Sequence, residues 1–209
     1  MPSNQLKKLI SEMLKPLDEV EFSPVIEGIT GYKVKKYNSR SNKDRAILEQ
    51  LKKMADIVLK EVNKNGIESS RANEVGNKIE PFVKDALNSL GLKADTPKTQ
   101  NGKKQSSGYP DLSFYDKNDR LNYLECKTYN IKNINTSQRS FYLSPSTNPK
   151  ISEEAHHFGI SFEIFKDKNI YKVKSWKILD LYWLKLKIKY EFNADNKTLY
   201  SKDLILAEK

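Results

Sequence analysis

The chain has 209 residues, 37% hydrophobic and 31% charged, a balance that fits one folded domain and not a disordered segment. Its 37 Lys and Arg against 27 Asp and Glu give a formal charge of +10, which favours a polyanionic partner unless the lysines are simply solvated. The single cysteine, Cys126, excludes an intrachain disulfide and disfavours a cysteine zinc site; no apolar run is of membrane-spanning length and Met1-Pro2-Ser3-Asn4 does not open a signal peptide, so a soluble, cytoplasmic protein with no membrane partner is expected.

Residues 3–15 read as a helix, with Ser3 as N-cap, Leu6, Ile10, Met13 and Leu14 at helical spacing, and Pro16 as the stop. Residues 18–40, which contain Gly28 and Gly31, read as loops with a short strand. The clearest helix spans 42–63. Ser41 and Asp44 form a capping-box pattern with Asp in place of Glu, and Asn65-Gly66 marks the end. A third helix over 70–90 sets Ala72, Val75, Ile79, Phe82, Val83, Ala86 and Leu90 on one face, with Pro81 expected to kink or split it. Residues 92–108 have loop composition.

The period then changes from helical to alternating. Leu112-Ser113-Phe114-Tyr115 and residues 121–129 read as two strands joined by a turn at Asp116-Lys117-Asn118-Asp119. Residues 130–150 are polar, and Ser152 caps an expected short helix through His157. A second hairpin follows around residues 167–169. Leu184, Leu186, Ile188, Tyr190 and Phe192 alternate with charged residues as a half-buried strand, which a turn at 193–196 returns into 197–204.

The first hairpin carries the chemistry. Side chains alternate along a strand, so Glu125 and Lys127 share a face with Tyr123 and Tyr129, while Leu124 and Cys126 point to the core. Pro110-Asp111 opens the partner strand and is brought back beside Glu125 and Lys127. Mg²⁺ takes oxygen ligands and keeps waters, so Asp111, Glu125 and the Cys126 backbone carbonyl are a sufficient protein share. Lys127 would position a water or stabilise developing charge. The bland alternative is a cross-strand salt bridge on an open face. Asp195-Asn196-Lys197 matches the same acidic-x-Lys pattern, but in a predicted turn.

Pro110-Asp111 followed by Glu125-Cys126-Lys127, on strand–turn–strand, resembles the PD-(D/E)XK nuclease superfamily. The resemblance implies an α/β fold of mixed α+β type. Its central mixed β-sheet is flanked by helices as a restriction-endonuclease-like core, with an N-terminal helical region. The resemblance covers a short central stretch; from chain length one nuclease domain over 1–209 is expected, with 1–66 as the helical part and 67–209 as the catalytic core and C-terminal β elements. The resemblance further implies Mg²⁺-dependent phosphodiester hydrolysis leaving 5′-phosphate ends. A small basic member looks most like a type II restriction endonuclease, usually a homodimer on double-stranded DNA. Many members add a helix glutamate before the hairpin. Glu80, at the edge of its helix's apolar face, is preferred here over Glu74 on the opposite side.

Lys132, Asn135, Gln138 and Arg139 follow the catalytic strand, and Asn, Gln and Arg are the residue types that read base edges. Phe141 and Tyr142 would anchor that loop. Lys103 and Lys104 are placed to meet phosphates. Lys185, Lys187 and Lys189 read as a solvated strand edge. His156 and His157, adjacent on an expected helix, point apart and do not make a zinc pair, so they read as structural or loop-supporting histidines. The rival readings are a structure-specific repair nuclease, a non-catalytic DNA-binding module and a basic scaffold.

Overall fold

The computed structural model describes residues 3–15, 17–137 and 139–207, and the chain forms two units, 1–20 with 185–209 and 21–184. In the first unit lie helix α1 (Ser3–Met13), strand β1 (Leu17–Glu21, its last residue counted with the second unit), strand β9 (Lys185–Ile188) and helix α5 (Asn196–Leu199). β1 pairs with β9, and Lys187 reaches Asp18 at 2.9 Å. The expected strand over 184–192 is thus shorter, with Tyr190 and Phe192 exposed. The expected return strand over 197–204 is instead helical turns, because Asp195 accepts a hydrogen bond from Thr198 N–H at 2.7 Å and caps α5.

The second unit runs through α2 (Phe22–Thr30), β2 (Val34–Lys35), α3 (Asn42–Asn65), β3 (Ile67–Glu68), α4 (Ala72–Ser89) and β4 (Ala94–Asp95). It continues with β5 (Leu112–Tyr115), β6 (Leu121–Tyr129), β7 (Ala155–Asp167) and β8 (Ile170–Asp180). Its strands make one mixed sheet in the order β3-β8-β7-β6-β5-β4, with β2 paired to β7. β6 and β2 run parallel to β7, and the other pairings are antiparallel. The expected mixed sheet flanked by helices is the one observed.

Apolar stripes on α3 and α4 bury one sheet face. Leu51, Met54, Val58, Ile79, Val83 and Leu87 pack with Leu124, Cys126, Ile160 and Phe162. Each large side chain so buried contributes about 1.5–3 kcal/mol. Ser41 Oγ accepts from Asp44 N–H at 3.2 Å as the N-cap. Asp44 does not complete a capping box. Its carboxylate accepts instead from Asn38 N–H at 3.0 Å and from Arg120 at 2.7 Å. Gly66 ends α3 at φ 71°, where a Cβ would stand 2.6 Å from Ile170 Cδ1. Pro81 does not split α4. The N–H it lacks would have met the Asn77 carbonyl, and both residues are exposed, leaving that carbonyl open to hydration.

Two segments differ from expectation for identifiable reasons. α2 is only nine residues long and holds Pro24 and Gly28, so it reads as a loop. It forms because Pro24 falls in the first turn, where the missing N–H costs nothing, and Gly31 closes it at φ 81° with its N–H on Glu27 O. Residues 152–157 are not a helix. β7 begins at Ala155 and lies between β6 and β8 with both faces buried, so alternation is absent from its sequence.

Candidate active site

The register Leu112↔Leu124 carries Asp111, one residue ahead of β5, to the side of Glu125. The Cys126 N–H donates to Asp111 Oδ2 at 2.8 Å, which fixes that carboxylate across the hairpin. Lys127 Nζ donates to Glu125 Oε1 at 2.5 Å. Glu125 is only 4% exposed, and its Oε2 is buried with no hydrogen-bond partner among the described residues. The open face of the salt-bridge alternative is absent around Glu125: Tyr123 and Glu125 are both buried.

Glu80 approaches from α4. Burial, then the charge of Asp111, push its carboxyl up to about 7, against the pull of Lys127 and Lys150. Burial and Asp111 likewise raise Glu125, and Lys127 opposes them. Glu74 stays outside, exposed, and accepts from the Ser69 hydroxyl at 2.7 Å.

Three carboxylates thus face two ammonium groups, and burial holds two of the acids up. An added cation would relieve that repulsion. The unpartnered Glu125 Oε2 beside Asp111 suits a hard, oxygen-seeking ion. Among the described residues no three His, Cys, Asp or Glu side chains form a chelating cluster by themselves. That is consistent with an ion taking one or two carboxylates and completing its shell with water and phosphate. Burial pushes the Cys126 thiol well up, so it stays neutral and offers only its backbone.

A family model described as the MjaV type II restriction enzyme family matches residues 16–203. The type II restriction enzyme MjaV of Methanocaldococcus jannaschii is 40% identical over 220 residues, covering 98% of this chain and 95% of that protein. The chain belongs to the MjaV family of type II restriction enzymes. No solved structure matches it. Among the described residues no helix is long and apolar enough to cross a membrane.

In this MjaV-family chain the loop expected to meet DNA lies on the surface. Lys132, Asn135 and Arg139 are exposed, and Gln138 lies outside the described residues. The Arg139 guanidinium stands 5.2 Å from the Tyr142 ring centroid. Phe141 anchors the loop edge-on against Phe22 and Tyr109, whereas Tyr142 is exposed. Lys103 is exposed, and Lys104 pairs with Asp95 at 3.2 Å.

One residue beside the site, Lys150, escapes a reading of the sequence, and His157, expected to be structural, lies near it. Lys150 is 3% exposed and donates to the carbonyls of Gly108 at 2.7 Å, Pro110 at 3.0 Å and Ser106 at 3.3 Å. It braces the strand entry at Asp111, and burial lowers its pKa. His157 Nδ1 and the Tyr109 hydroxyl share a hydrogen bond at 2.7 Å, and burial holds the histidine at about 3 and therefore neutral. It packs with Phe22, Tyr109 and Tyr123. No local pattern marks Lys150. A lysine ending a polar loop reads as solvated, and only the partner segments bury it.

Proposed function

We propose that this MjaV-family chain is a Mg²⁺-dependent, sequence-specific DNA endonuclease that hydrolyses phosphodiester bonds of double-stranded DNA as a homodimer. Family membership carries the endonuclease assignment, and type II restriction enzymes generally use a divalent metal. The observation supporting the site is the convergence of Asp111, Glu125 and Lys127 around an unpartnered Glu125 oxygen.

Asp111, Glu125 and the Cys126 carbonyl would hold the ion. When bound, Mg²⁺ supplies a water of lowered pKa and neutralises charge on the phosphate. Lys127, tethered to Glu125 Oε1, orients the attacking water and faces the phosphate with its remaining N–H donors. Glu80, held near neutrality, accepts a proton at its carboxylate as the reaction releases one. Lys103, Lys104, Lys132, Asn135, Gln138 and Arg139 are assigned to DNA. The exposure of those among them that are described leaves them able to meet phosphates and base edges. One domain over 1–209 completes the reading.

The test is digestion of phage DNA with Mg²⁺ by the wild type and Asp111→Ala. Discrete fragments lost in the variant are expected, with binding retained and cutting suppressed in Ca²⁺. Equal cleavage by the two proteins, or full activity in EDTA, would refute the assignment of the site.

A further inference from the structure

Strand register extends the site across the sheet. Lys127 of β6 pairs with Ser161 of β7, and Ser161 pairs with Lys177 of β8. Residues paired in register share a face, so the three side chains form one row on the Glu125 side. Tyr129 lies on the same side by alternation. Lys177 Nζ donates to Tyr129 OH at 2.7 Å, and the ammonium lies 5.0 Å from the ring centroid. The opposite face is the core, where Cys126, Ile160 and Phe162 pack with α3 and α4.

Lys177 is exposed, and its hydrogen bond goes to a neutral hydroxyl. The nearby carboxylate is Glu163, paired in register with Tyr129. Lys174 at 3.3 Å and the Ser175 hydroxyl at 2.7 Å already engage it, although it also feels the Lys177 charge. Lys177 therefore projects a positive charge beside the site without a close anionic partner among the described residues. Two strand spacings separate it from Lys127, about 10 Å. One DNA strand advances about 3.4 Å along the helix axis per phosphate, so that interval spans at most about three phosphates.

We propose that Lys177, steered by Tyr129, binds a DNA backbone phosphate within about three nucleotides of the scissile bond, with Ser161 offering a hydroxyl between the two lysines. This rests on the reading that Lys127 faces the scissile phosphate. Such a contact is independent of sequence and aligns the strand along the row. It adds to affinity and registers the cleaved bond without reading a base.

The test compares wild type, Lys177→Gln and Lys177→Arg in Ca²⁺, by anisotropy on a fluorescein-labelled mixed-sequence duplex over a KCl series. One phosphate contact accounts for about 0.9 in the slope of log affinity against log salt. Lys177→Gln is expected to lower the slope magnitude by about that amount and to weaken binding roughly five- to tenfold near 0.1 M salt. Lys177→Arg is expected to restore both. If Lys177→Gln matches a wild type that binds and cuts, the inference fails while the nuclease reading stands. A lower melting temperature with an unchanged slope also overturns it, because the role would be structural. A wild type that neither binds nor cuts DNA fails the reading itself.

Discussion

Lys150→Met removes the buried ammonium beside Asp111 while keeping most of the apolar stem. The ammonium directs its protons to the carbonyls of Ser106, Gly108 and Pro110. Ser106 and Gly108 are exposed residues whose carbonyls can rehydrate, but Pro110 is buried. One buried acceptor left unsatisfied costs about 1–3 kcal/mol, and hydrogen bonds to charged groups contribute about 1.5–3. Relief of the lysine's own desolvation offsets part of this, so a net loss of about 2–3 kcal/mol is expected. At about 2–4 °C per kcal/mol for a chain of this size, the melting temperature should fall by roughly 4–12 °C. Urea unfolding followed by circular dichroism measures it, with Lys103→Met as an exposed control expected within about 0.5 kcal/mol of wild type. The charge matters too. Lys150 pulls the carboxyl pKa of Glu80 down, so its removal should move the onset of Mg²⁺-supported cleavage to higher pH. A variant within about 0.5 kcal/mol of wild type and with an unshifted pH profile would refute the bracing role.

Three further outcomes follow from buried charge. Glu80 is held at about 7 in the folded protein against an ordinary value of 4.5. The folded state therefore binds more protons than the unfolded one between those values, and the metal-free protein should lose stability as pH rises through about 7. Ca²⁺ binding should tighten over the same interval and release protons, readable by calorimetry in buffers of different ionisation enthalpy; binding with no proton release would refute it. Arg120 ties α3 to the hairpin turn, at 2.7 Å from Asp44 and 2.8 Å from Asp116, both buried. Arg120→Met leaves two carboxylates without their cation and should cost about 3 kcal/mol in urea unfolding, at the low end of the range because the arginine is partly exposed. A loss below about 1 kcal/mol would show that water or His156 takes over.

The convergence of Asp111, Glu125 and Lys127 was legible because its logic is local. Alternation along a strand places Glu125 with Lys127 and opposes Cys126 wherever that strand is buried, and a short turn returns Asp111 to Glu125. The same local logic placed α3 and α4 by their apolar stripes. It could choose Glu80 over Glu74 from the helical wheel, and the structure brings Glu80 to the charge of Asp111. It failed where the deciding partner was distant. α2, with Pro24 and Gly28, is a helix whose Phe22 packs on Tyr109 and His157. The expected helix before His157 gave way to β7, a strand with neighbours on both sides. Lys150 is polar in a polar loop until three carbonyls some forty residues earlier in the chain surround it.

Chain order by itself determined which residues share a face and which types of chemistry they can offer, because backbone periodicity depends only on neighbours. Only the tertiary structure decided that Glu125 is buried with one oxygen unpartnered, that Lys150 stands behind Asp111, and that Lys177 falls in the row of Lys127. Burial, strand pairing and charge proximity arise between segments far apart in the chain, and the energies they set, from desolvation to Coulomb attraction, exist only once those segments meet.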